Sequence, residues 1–324
     1  MNLPARESLD DDRTSSDQPT RPLDGCVGIV TGGGRGIGAA VSRYAATLGA
    51  SVVVSDYGAS PGGQHTDDGV SVSAEVANDI VAAGGVALAD SGDVRSFADA
   101  EQMVEAARST FGRLDFVVHC AGILRDTIFH KMTPTDFETV LGVHLLGGFN
   151  VARAAAPIFR EQLSGSYVFM SSTSGLIGAV GQANYSAAKA GLVGLSRSVA
   201  IDMHRFGVRS NIVAPFAATR MTASLGADGA EVSDRVRRLM SIGADTVAPI
   251  VAFLCAEDSQ EITGQVFVVR NHEVFLMSQA RPVRGFHHSD GWDMSTLTGV
   301  LKPAVKPFLY PLETSADYFS WDPI

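Results

Sequence analysis

The chain has 324 residues, of which 45% are hydrophobic, and its formal charge is −10. Such a chain can bury a substantial core, and its acidic balance argues against nucleic acid or an anionic membrane as the main partner. No apolar run approaches the roughly 20 residues that span a bilayer, and the N-terminus lacks the segments of a signal peptide, so we expect a cytoplasmic protein.

A glycine-rich turn follows the first predicted strand. Residues 1–21 are polar and are expected to form a disordered tail, residues 26–31 are a short apolar run, and residues 39–48 have helical character. Glycines let the backbone approach a pyrophosphate, and the first amides of a helix face the anion. Glycine-rich loops often only turn the chain, but the order strand, turn, helix favours a dinucleotide site. The residues predicted to hold it are Gly32, Arg35, Gly36, Ile37 and Gly38.

An acidic residue ends the second predicted strand. Residues 51–55 are apolar enough to be buried, and Asp56 follows them, 18 residues after Gly38. A carboxylate at this place accepts hydrogen bonds from the ribose hydroxyls of adenosine. It would also repel a 2′-phosphate, so the sequence predicts NAD rather than NADP, although Arg35 could bind such a phosphate.

The third predicted strand, residues 86–89, follows a loop over residues 57–70 and a helix over residues 73–83. Asp93 and Val94 come just after it, and we place both beside the cofactor. The Asp93 carboxylate could reach the adenine amine or cap the helix that begins after Ser96. The sequence leaves both roles open.

The fourth predicted strand, residues 114–118, ends in a run of small residues. Cys120, Ala121 and Gly122 let the chain pass close to the cofactor. A helix is predicted over residues 137–159 with His144 near its middle; a lone helical histidine is usually structural, and a functional role is the alternative. The three cysteines of the chain lie far apart, so neither a disulfide framework nor a metal site is predicted.

The candidate catalytic residues are a hydroxyl, a phenol and an ammonium. Ser172 follows an apolar strand over residues 167–170, and the glycines after it let the chain fold back. Tyr185 and Lys189 are four positions apart in an alanine-rich segment, so a helix would place them on one face. An adjacent cation lowers the pKa of a phenol and makes it a usable base. The alternative is that this spacing is a commonplace of helices and that the serine only ends a strand.

The last part of the domain continues the alternation. Residues 208–213 and 265–269 are predicted strands and residues 245–255 a helix, while the segment from 214 to about 243, which includes Pro215, could form a mobile lid over a substrate. Seven strands alternating with helices predict an α/β fold, a single doubly wound domain over residues 22–270 with a parallel sheet covered on both faces. Residues 271–324 are a Pro-rich and aromatic extension, expected to pack on the body or on a neighbouring subunit.

Several motifs stand together in a recognisable order and spacing. They are Thr31-Gly32-x-x-x-Gly36-Ile37-Gly38, Cys120-Ala121-Gly122, Ser172 and Tyr185-x-x-x-Lys189. Over about residues 24–270 the chain thus resembles the short-chain dehydrogenase/reductase family, which has a Rossmann-type fold. Within it, stretches such as residues 121–126, 143–145 and 181–185 look most like the (3R)-hydroxyacyl-CoA dehydrogenase unit of type 2 multifunctional enzymes and its bacterial relatives, some of which act on steroids.

The resemblance implies a role for each catalytic residue. Tyr185 would be the acid/base, Ser172 would orient the substrate oxygen, and Lys189 would bind the nicotinamide ribose and lower the pKa of the tyrosine. His144 stands where the family's catalytic asparagine usually sits. Tyr185, Lys189 and Pro215 would also contact the cofactor.

The chain departs from the family pattern at three places. His119-Cys120 replaces Asn-Asn, which removes an amide that usually steadies the central strand. Phe216-Ala217 replaces the glycine that usually follows Pro215. Asn271-His272 replaces the Gly-Gly that often follows the last strand. The substitutions after Pro215 and after the last strand concern the shape of the substrate pocket more than the catalytic residues.

The sequence therefore predicts an NAD-dependent enzyme that interconverts a secondary alcohol and a ketone on a bulky apolar substrate, either a 3-hydroxyacyl-CoA or a hydroxysteroid. The alternative is a catalytically silent NAD-binding protein whose C-terminal extension blocks the site or recruits a partner. A homotetramer or homodimer is expected, formed through the helices around residues 151–156 and 187–200.

Overall fold

The computed structural model describes residues 21–64, 71–216 and 242–322. The proposed N-terminal tail, except Arg21, and most of the predicted lid lie outside these residues. The strands within them are β1 (Val27–Thr31), β2 (Ser51–Ser55), β3 (Val86–Asp90), β4 (Phe116–His119), β5 (Gly165–Met170), β6 (Val208–Phe216), β7 (Val266–Arg270) and β8 (Glu273–Leu276). The helices are α1 (Gly36–Thr47), α2 (Val72–Ala82), α3 (Phe97–Phe111), α4 (Pro134–Leu141), α5 (Gly147–Gln162), α6 (Thr173–Leu176), α7 (Ala183–Met203), α8 (Ala248–Cys255), α9 (Met294–Thr296), α10 (Lys302–Val305) and α11 (Ser315–Tyr318).

All these strands form one sheet in the order β3-β2-β1-β4-β5-β6-β7-β8. Strands β1 to β7 pair in parallel, and β8 pairs antiparallel with β7. The seven predicted parallel strands are present, and the sheet has an eighth, antiparallel strand that was not predicted. Asn271 explains the difference, because its φ of 56° is a left-handed conformation that asparagine tolerates better than most residues. With His272 it makes a tight turn that returns the chain along β7.

The sheet has a helical layer on each face. In β2 the side chains of Val52 and Val54 pack in one core cluster and that of Val53 in the other, as the alternation of a strand requires. Helices α1, α2 and α8 cover the first cluster, and α3, α5 and α7 cover the second. Burial on both faces explains why these strands are continuous apolar runs in the sequence.

The helix predicted over residues 137–159 is interrupted. Helix α4 ends at Leu141, a π-helical turn spans Gly142–Leu146, and α5 begins at Gly147. Glycine is a poor helix former, and it stands at the first residue of the turn and directly after it. Such turns insert an extra residue into a helix and are frequent at functional sites. His144 lies at the centre of this one.

A buried aromatic residue near the end of the C-terminal extension packs on the sheet. Phe319 packs in a small core cluster with Ala214 of β6 and Val268 of β7. Its ring centroid lies 5.1 Å from that of Phe216 and 5.6 Å from that of Phe275. The end of the described chain therefore lies against the edge of the sheet where β6 ends.

Candidate active site

A cavity of about 1200 Å³ opens at the carboxyl ends of the parallel strands. Ligands of open α/β sheets bind at this edge, because the loops that follow the strands converge there. Every residue predicted for the site lines this cavity: Gly32, Arg35, Gly36, Ile37, Gly38, Asp56, Asp93, Val94, Cys120, Ala121, Gly122, His144, Ser172, Tyr185, Lys189 and Pro215. The structure brings them together, and the role of each stays a prediction.

The glycine turn holds β1 and α1 in close contact. Gly32 has a φ of 63°, in the left-handed region, and a Cβ atom on Gly38 would lie 2.1 Å from the Gly32 carbonyl oxygen. Any side chain at Gly38 would therefore push the turn open. Helix α1 has no side-chain cap at its first residues. Its positive end faces the cavity and suits an anion such as a pyrophosphate.

The Asp56 carboxylate is fixed beside this turn. One oxygen accepts a hydrogen bond from the Gly34 amide at 3.0 Å, and the other accepts one from the Gly58 amide at 2.9 Å. Each carboxylate oxygen has further lone pairs, so it can still accept bonds from hydroxyl groups. The Arg35 guanidinium donates to the Ala59 carbonyl at 3.3 Å.

Asp93 does not cap the following helix. Ser96 does so, with its hydroxyl accepting from the Asp99 amide at 3.2 Å. The Asp93 carboxylate instead accepts from the Arg95 guanidinium at 2.6 Å. Burial acts to raise the pKa of Asp93, but the hydrogen bonds from Arg95 outweigh it and the pKa is lowered. The helix-capping role is therefore excluded. Contact of the charged Asp93 carboxylate with an adenine amine remains the prediction.

Ser172, Tyr185 and Lys189 meet on the floor of the cavity. Ser172 is the N-cap of the short helix α6, two residues after the end of β5, and it lines the cavity together with Tyr185. Lys189 lies one turn of α7 after Tyr185. Its ammonium nitrogen lies 5.5 Å from the centre of the phenol ring and donates to the Met170 carbonyl at 2.5 Å. The four-residue spacing thus places Tyr185 and Lys189 on one face of α7, as predicted.

Burial dominates the protonation of these groups. It raises the pKa of Tyr185 to about 12, and the nearby Ser172 hydroxyl offsets only part of this rise. It lowers the pKa of Lys189 to about 7. Both shifts favour the uncharged form, as desolvation does. The lowered tyrosine pKa that the resemblance implied is thus not present in the protein by itself.

His144 packs against the catalytic tyrosine. Its buried ring meets the Tyr185 ring edge-on, with centroids 5.3 Å apart, and its Nε2 lies 2.8 Å from the carbonyl oxygen of Ile123. A Cβ atom on Gly122 would lie 2.4 Å from the ring, which explains the glycine there. Burial lowers the pKa of His144 well below its usual value. The His144 ring is therefore neutral, and it holds the Tyr185 ring by packing against it.

The His119 ring makes two hydrogen bonds at the place where the family pattern has an asparagine. Its Nε2 lies 3.0 Å from the His144 carbonyl oxygen, which can only accept, so Nε2 carries the proton. Its Nδ1 then accepts from the Thr31 hydroxyl at 2.9 Å. The imidazole thus ties β1 and β4 to the π-helical turn. The amide of the family pattern is absent, as the sequence shows, but the His119 ring gives β4 side-chain bonds to two other elements.

Sequence reasoning missed two groups of cavity residues. The Gln182 side chain donates to Asp126 at 2.7 Å and accepts from Ser174 at 2.8 Å, which closes the cavity beside Ser172. Four residues of the C-terminal extension also line the cavity: Thr314, Ser315, Ala316 and Phe319. The first group lies in stretches that the resemblance covers. The second has no sequence signal, since the extension lacks periodicity.

The family model described as enoyl-(acyl carrier protein) reductase, a model of short-chain dehydrogenase/reductase sequences, matches residues 32–271. The chain belongs to the short-chain dehydrogenase/reductase family. It is similar to the hydroxyacyl-CoA dehydrogenase ChsB1 of Mycobacterium tuberculosis, with 36% identity over 87% of this chain and 89% of that protein. It is 40% identical to the peroxisomal multifunctional enzyme type 2 of Drosophila melanogaster over 76% of this chain, but spans only 39% of that enzyme.

A solved structure agrees with this membership. The crystal structure of a short chain dehydrogenase from Mycobacterium avium superposes with a TM-score of 0.76 at 35% identity, and the match covers 89% of this chain and 96% of that one. The protein is accordingly an oxidoreductase that uses a nicotinamide cofactor. The glycine turn, the uncapped start of α1 and the Asp56 carboxylate fit such a cofactor.

The described part of the chain has neither a candidate metal site nor a candidate membrane-spanning helix. Among residues 21–64, 71–216 and 242–322, no group of three or more His, Cys, Asp or Glu side chains could hold a metal ion. No helix in the same ranges is long and apolar enough to cross a membrane.

The buried His119 predicts a pH dependence of stability that one substitution should remove. Burial lowers the pKa of His119 to about 3, from 6.5. As pH falls below 6.5 the unfolded chain binds a proton that the folded chain does not, so the free energy of unfolding falls. Between pH 7 and 5.5 one such group accounts for about 1 kcal/mol. In His119→Asn, urea unfolding should show a fall smaller by that amount.

The control is His204→Asn, at an exposed histidine after α7. It should keep the pH dependence of the wild type. An equal pH dependence in His119→Asn and the wild type would contradict the neutral, hydrogen-bonded ring.

Proposed function

We propose that the protein is an NAD-dependent dehydrogenase that interconverts a secondary alcohol and a ketone on a bulky apolar substrate, with a 3-hydroxyacyl-CoA as the first candidate. The observation that carries this proposal is that Ser172, Tyr185 and Lys189 line one cavity, with the Lys189 ammonium nitrogen 5.5 Å from the centre of the phenol ring. A hydroxyl and a phenol that face the same cavity can together hold one substrate oxygen.

In the oxidation, the substrate hydroxyl lies between Ser172 and Tyr185. Ser172 donates a hydrogen bond to the oxygen, and the Tyr185 phenolate takes its proton as the carbinol C–H bond breaks. A bound oxidised nicotinamide would supply the acceptor for the hydride and its two electrons, and would add a positive charge to the cavity. The Lys189 ammonium adds a second positive charge near the phenolate and stabilises it.

In the reduction, the same residues act in the opposite sense. The phenol of Tyr185 donates its proton to the oxygen of the ketone, while Ser172 keeps that oxygen in place. This direction starts from the protonated phenol, the form that burial favours, since the pKa of Tyr185 is raised to about 12. Tyr185 is therefore in the form that a general acid requires even without a positively charged cofactor in the cavity.

The substrate class is supported by the walls of the cavity and by the relatives. Apolar side chains line it near Tyr185, among them Ile123, Leu124, Val180 and Phe216. One relative that matches over most of its length is named a hydroxyacyl-CoA dehydrogenase. A hydroxysteroid is the second candidate, because a rigid apolar body suits the same walls.

The preference for NAD over NADP rests on Asp56. Its carboxylate is held by two backbone amides next to the glycine turn. A 2′-phosphate on the adenosine ribose would bring two negative charges towards it. The Arg35 guanidinium, the one cation considered as a phosphate ligand, is bonded to the Ala59 carbonyl.

The alternative of a catalytically silent protein rests on Cys120, on His144 and on the C-terminal extension. His144 packs against Tyr185, at the place where the family has its asparagine. The extension lines the cavity, so turnover of an alcohol with NAD is the measurement that separates the two hypotheses. The cytoplasmic location stays a prediction.

Tyr185→Phe should abolish turnover while leaving cofactor binding intact. The change removes only the hydroxyl that transfers the proton, so kcat should fall by about a hundredfold or more. Alcohol oxidation by NAD is measured against a panel of hydroxyacyl-CoA thioesters and hydroxysteroids, and the dissociation constant of NADH by fluorescence titration. Tyr44→Phe, at a partly exposed tyrosine of α1, is the control. Activity of Tyr185→Phe at the wild-type level would refute the mechanism.

Asp56→Asn should shift the cofactor preference. Removing the negative charge while keeping the side-chain shape lowers the repulsion of a 2′-phosphate, so the ratio of kcat/KM for NADP to that for NAD should rise about tenfold or more. Asp202→Asn, at an exposed aspartate of α7, should leave the ratio unchanged. A wild type that uses NADP better than NAD would overturn the assignment.

Helices α5 and α7 are proposed to form the contacts of a homodimer or homotetramer. Phe149 on α5 is 45% exposed and Ile201 on α7 is 70% exposed, although both are large and apolar. Phe149→Asp should therefore shift the protein towards a monomer in sizing with light scattering. Val81→Asp, at an exposed residue of α2 on the other face of the sheet, should not. A monomeric wild type would contradict the proposal.

A further inference from the structure

The last described residues of the chain return to the active site. Residues 314–322, which we term the C-terminal segment, include the short helix α11 and lie 125 or more positions after Lys189 in sequence. Four of them line the cavity together with Ser172 and Tyr185. Holding a segment at this place costs conformational entropy, which its contacts must offset.

One end of the segment is bonded to the turn that carries Ser172. The Ser315 hydroxyl, which is buried, donates to the Thr173 hydroxyl at 2.5 Å, and the Ser315 amide donates to the Gly178 carbonyl at 2.9 Å. Thr173 directly follows Ser172. The segment therefore holds both ends of the turn that begins at Ser172, which faces the same cavity as Tyr185.

The other end is fixed by a buried ion pair. The guanidinium of Arg270, which is 0% exposed, donates to the Glu273 carboxylate at 2.8 Å and to the Trp321 carbonyl at 2.8 Å. The Trp321 indole in turn donates to Glu273 at 3.1 Å. A buried charge is costly unless it is paired, so this cluster strongly favours one position of the segment. Phe319 lies between the two ends, in the aromatic cluster at the edge of the sheet.

Between these anchors, Ala316 is exposed to the cavity. It is the smallest apolar side chain and therefore leaves space for a group of the substrate. A larger side chain at this position would reduce that space without disturbing the glycine turn, which lies on the cofactor side.

We propose that the C-terminal segment is the substrate-side wall of the active site in the same chain, with Ser315 as a positioning residue for Ser172 and Ala316 as the residue that sets the size of the group admitted. The proposal rests on the proposed function, because it concerns the substrate of that reaction. It assigns to the extension a part in selectivity.

The size limit is tested with Ala316→Leu and the matched control Ser320→Leu. Both positions are exposed in the segment, but only the first lines the cavity. Substrates are 3-hydroxyacyl-CoA thioesters of short, medium and long chain and a fused-ring hydroxysteroid. In Ala316→Leu, kcat/KM should fall about tenfold or more for the bulkiest alcohol that the wild type oxidises and change little for the smallest. An equal effect on all substrates, no effect, or the same loss of selectivity in Ser320→Leu would overturn the size assignment.

The positioning role is tested with Ser315→Ala and Ser315→Thr. Loss of the hydroxyl should lower kcat by up to about tenfold with little change in KM for NAD, and threonine, which restores the donor, should recover most of it. Equal losses in both variants, or none in Ser315→Ala, would overturn the role of the hydroxyl.

A second measurement does not depend on turnover. In Ser315→Ala, hydrogen exchange of the amides of residues 175–178 should be faster than in the wild type, and in Ser320→Ala it should be unchanged. If the wild type oxidised none of the alcohols, the proposed function would fail, and exchange would still decide the contact. Unchanged exchange in Ser315→Ala would overturn the proposal.

Discussion

The hydrogen bonds of the His119 imidazole hold the centre of this molecule together. They join β4, on which His119 stands, to β1 through the Thr31 hydroxyl and to the π-helical turn through the His144 carbonyl. The His144 ring then packs edge-on against Tyr185. A continuous series of contacts therefore runs from the middle of the sheet to the phenol. Only a neutral imidazole has one donor and one acceptor for this arrangement, and burial keeps it neutral.

Burial at this edge of the sheet also determines the charge of the site. The pKa of Tyr185 is raised and that of Lys189 is lowered by the same cause, removal from water. The protein by itself thus disfavours both a phenolate and an ammonium. It follows that the charge on whatever occupies the cavity has a large effect on the protonation of both residues, since little solvent screens it. The positive charge of an oxidised cofactor favours the phenolate form of Tyr185, which takes a proton from an alcohol. The phenol form donates a proton to a ketone.

The parts of this structure that could be predicted from sequence are those with local signals. The strand, glycine turn and first helix occur in order, and the four-residue spacing of Tyr185 and Lys189 fixes their relative positions once a helix forms. The eighth strand was missed because it depends on the left-handed conformation of Asn271, which composition does not reveal. The role of His119 was missed because the pattern shows which amide is absent but not that a ring can reach two partners on other elements.

The two halves of the cavity differ in how they are built. The cofactor half comes from turns directly after β1, β2 and β4, and the backbone hydrogen bonds of the sheet hold it. The substrate half comes from segments far apart in sequence, and side chains hold it: Gln182 on Asp126, Ser315 on Thr173, Arg270 on Glu273. A single substitution can replace one side-chain contact, whereas it cannot change the register of the strands in the sheet. We therefore expect substitutions in the substrate half to change substrate selectivity without disturbing the turns that hold the cofactor.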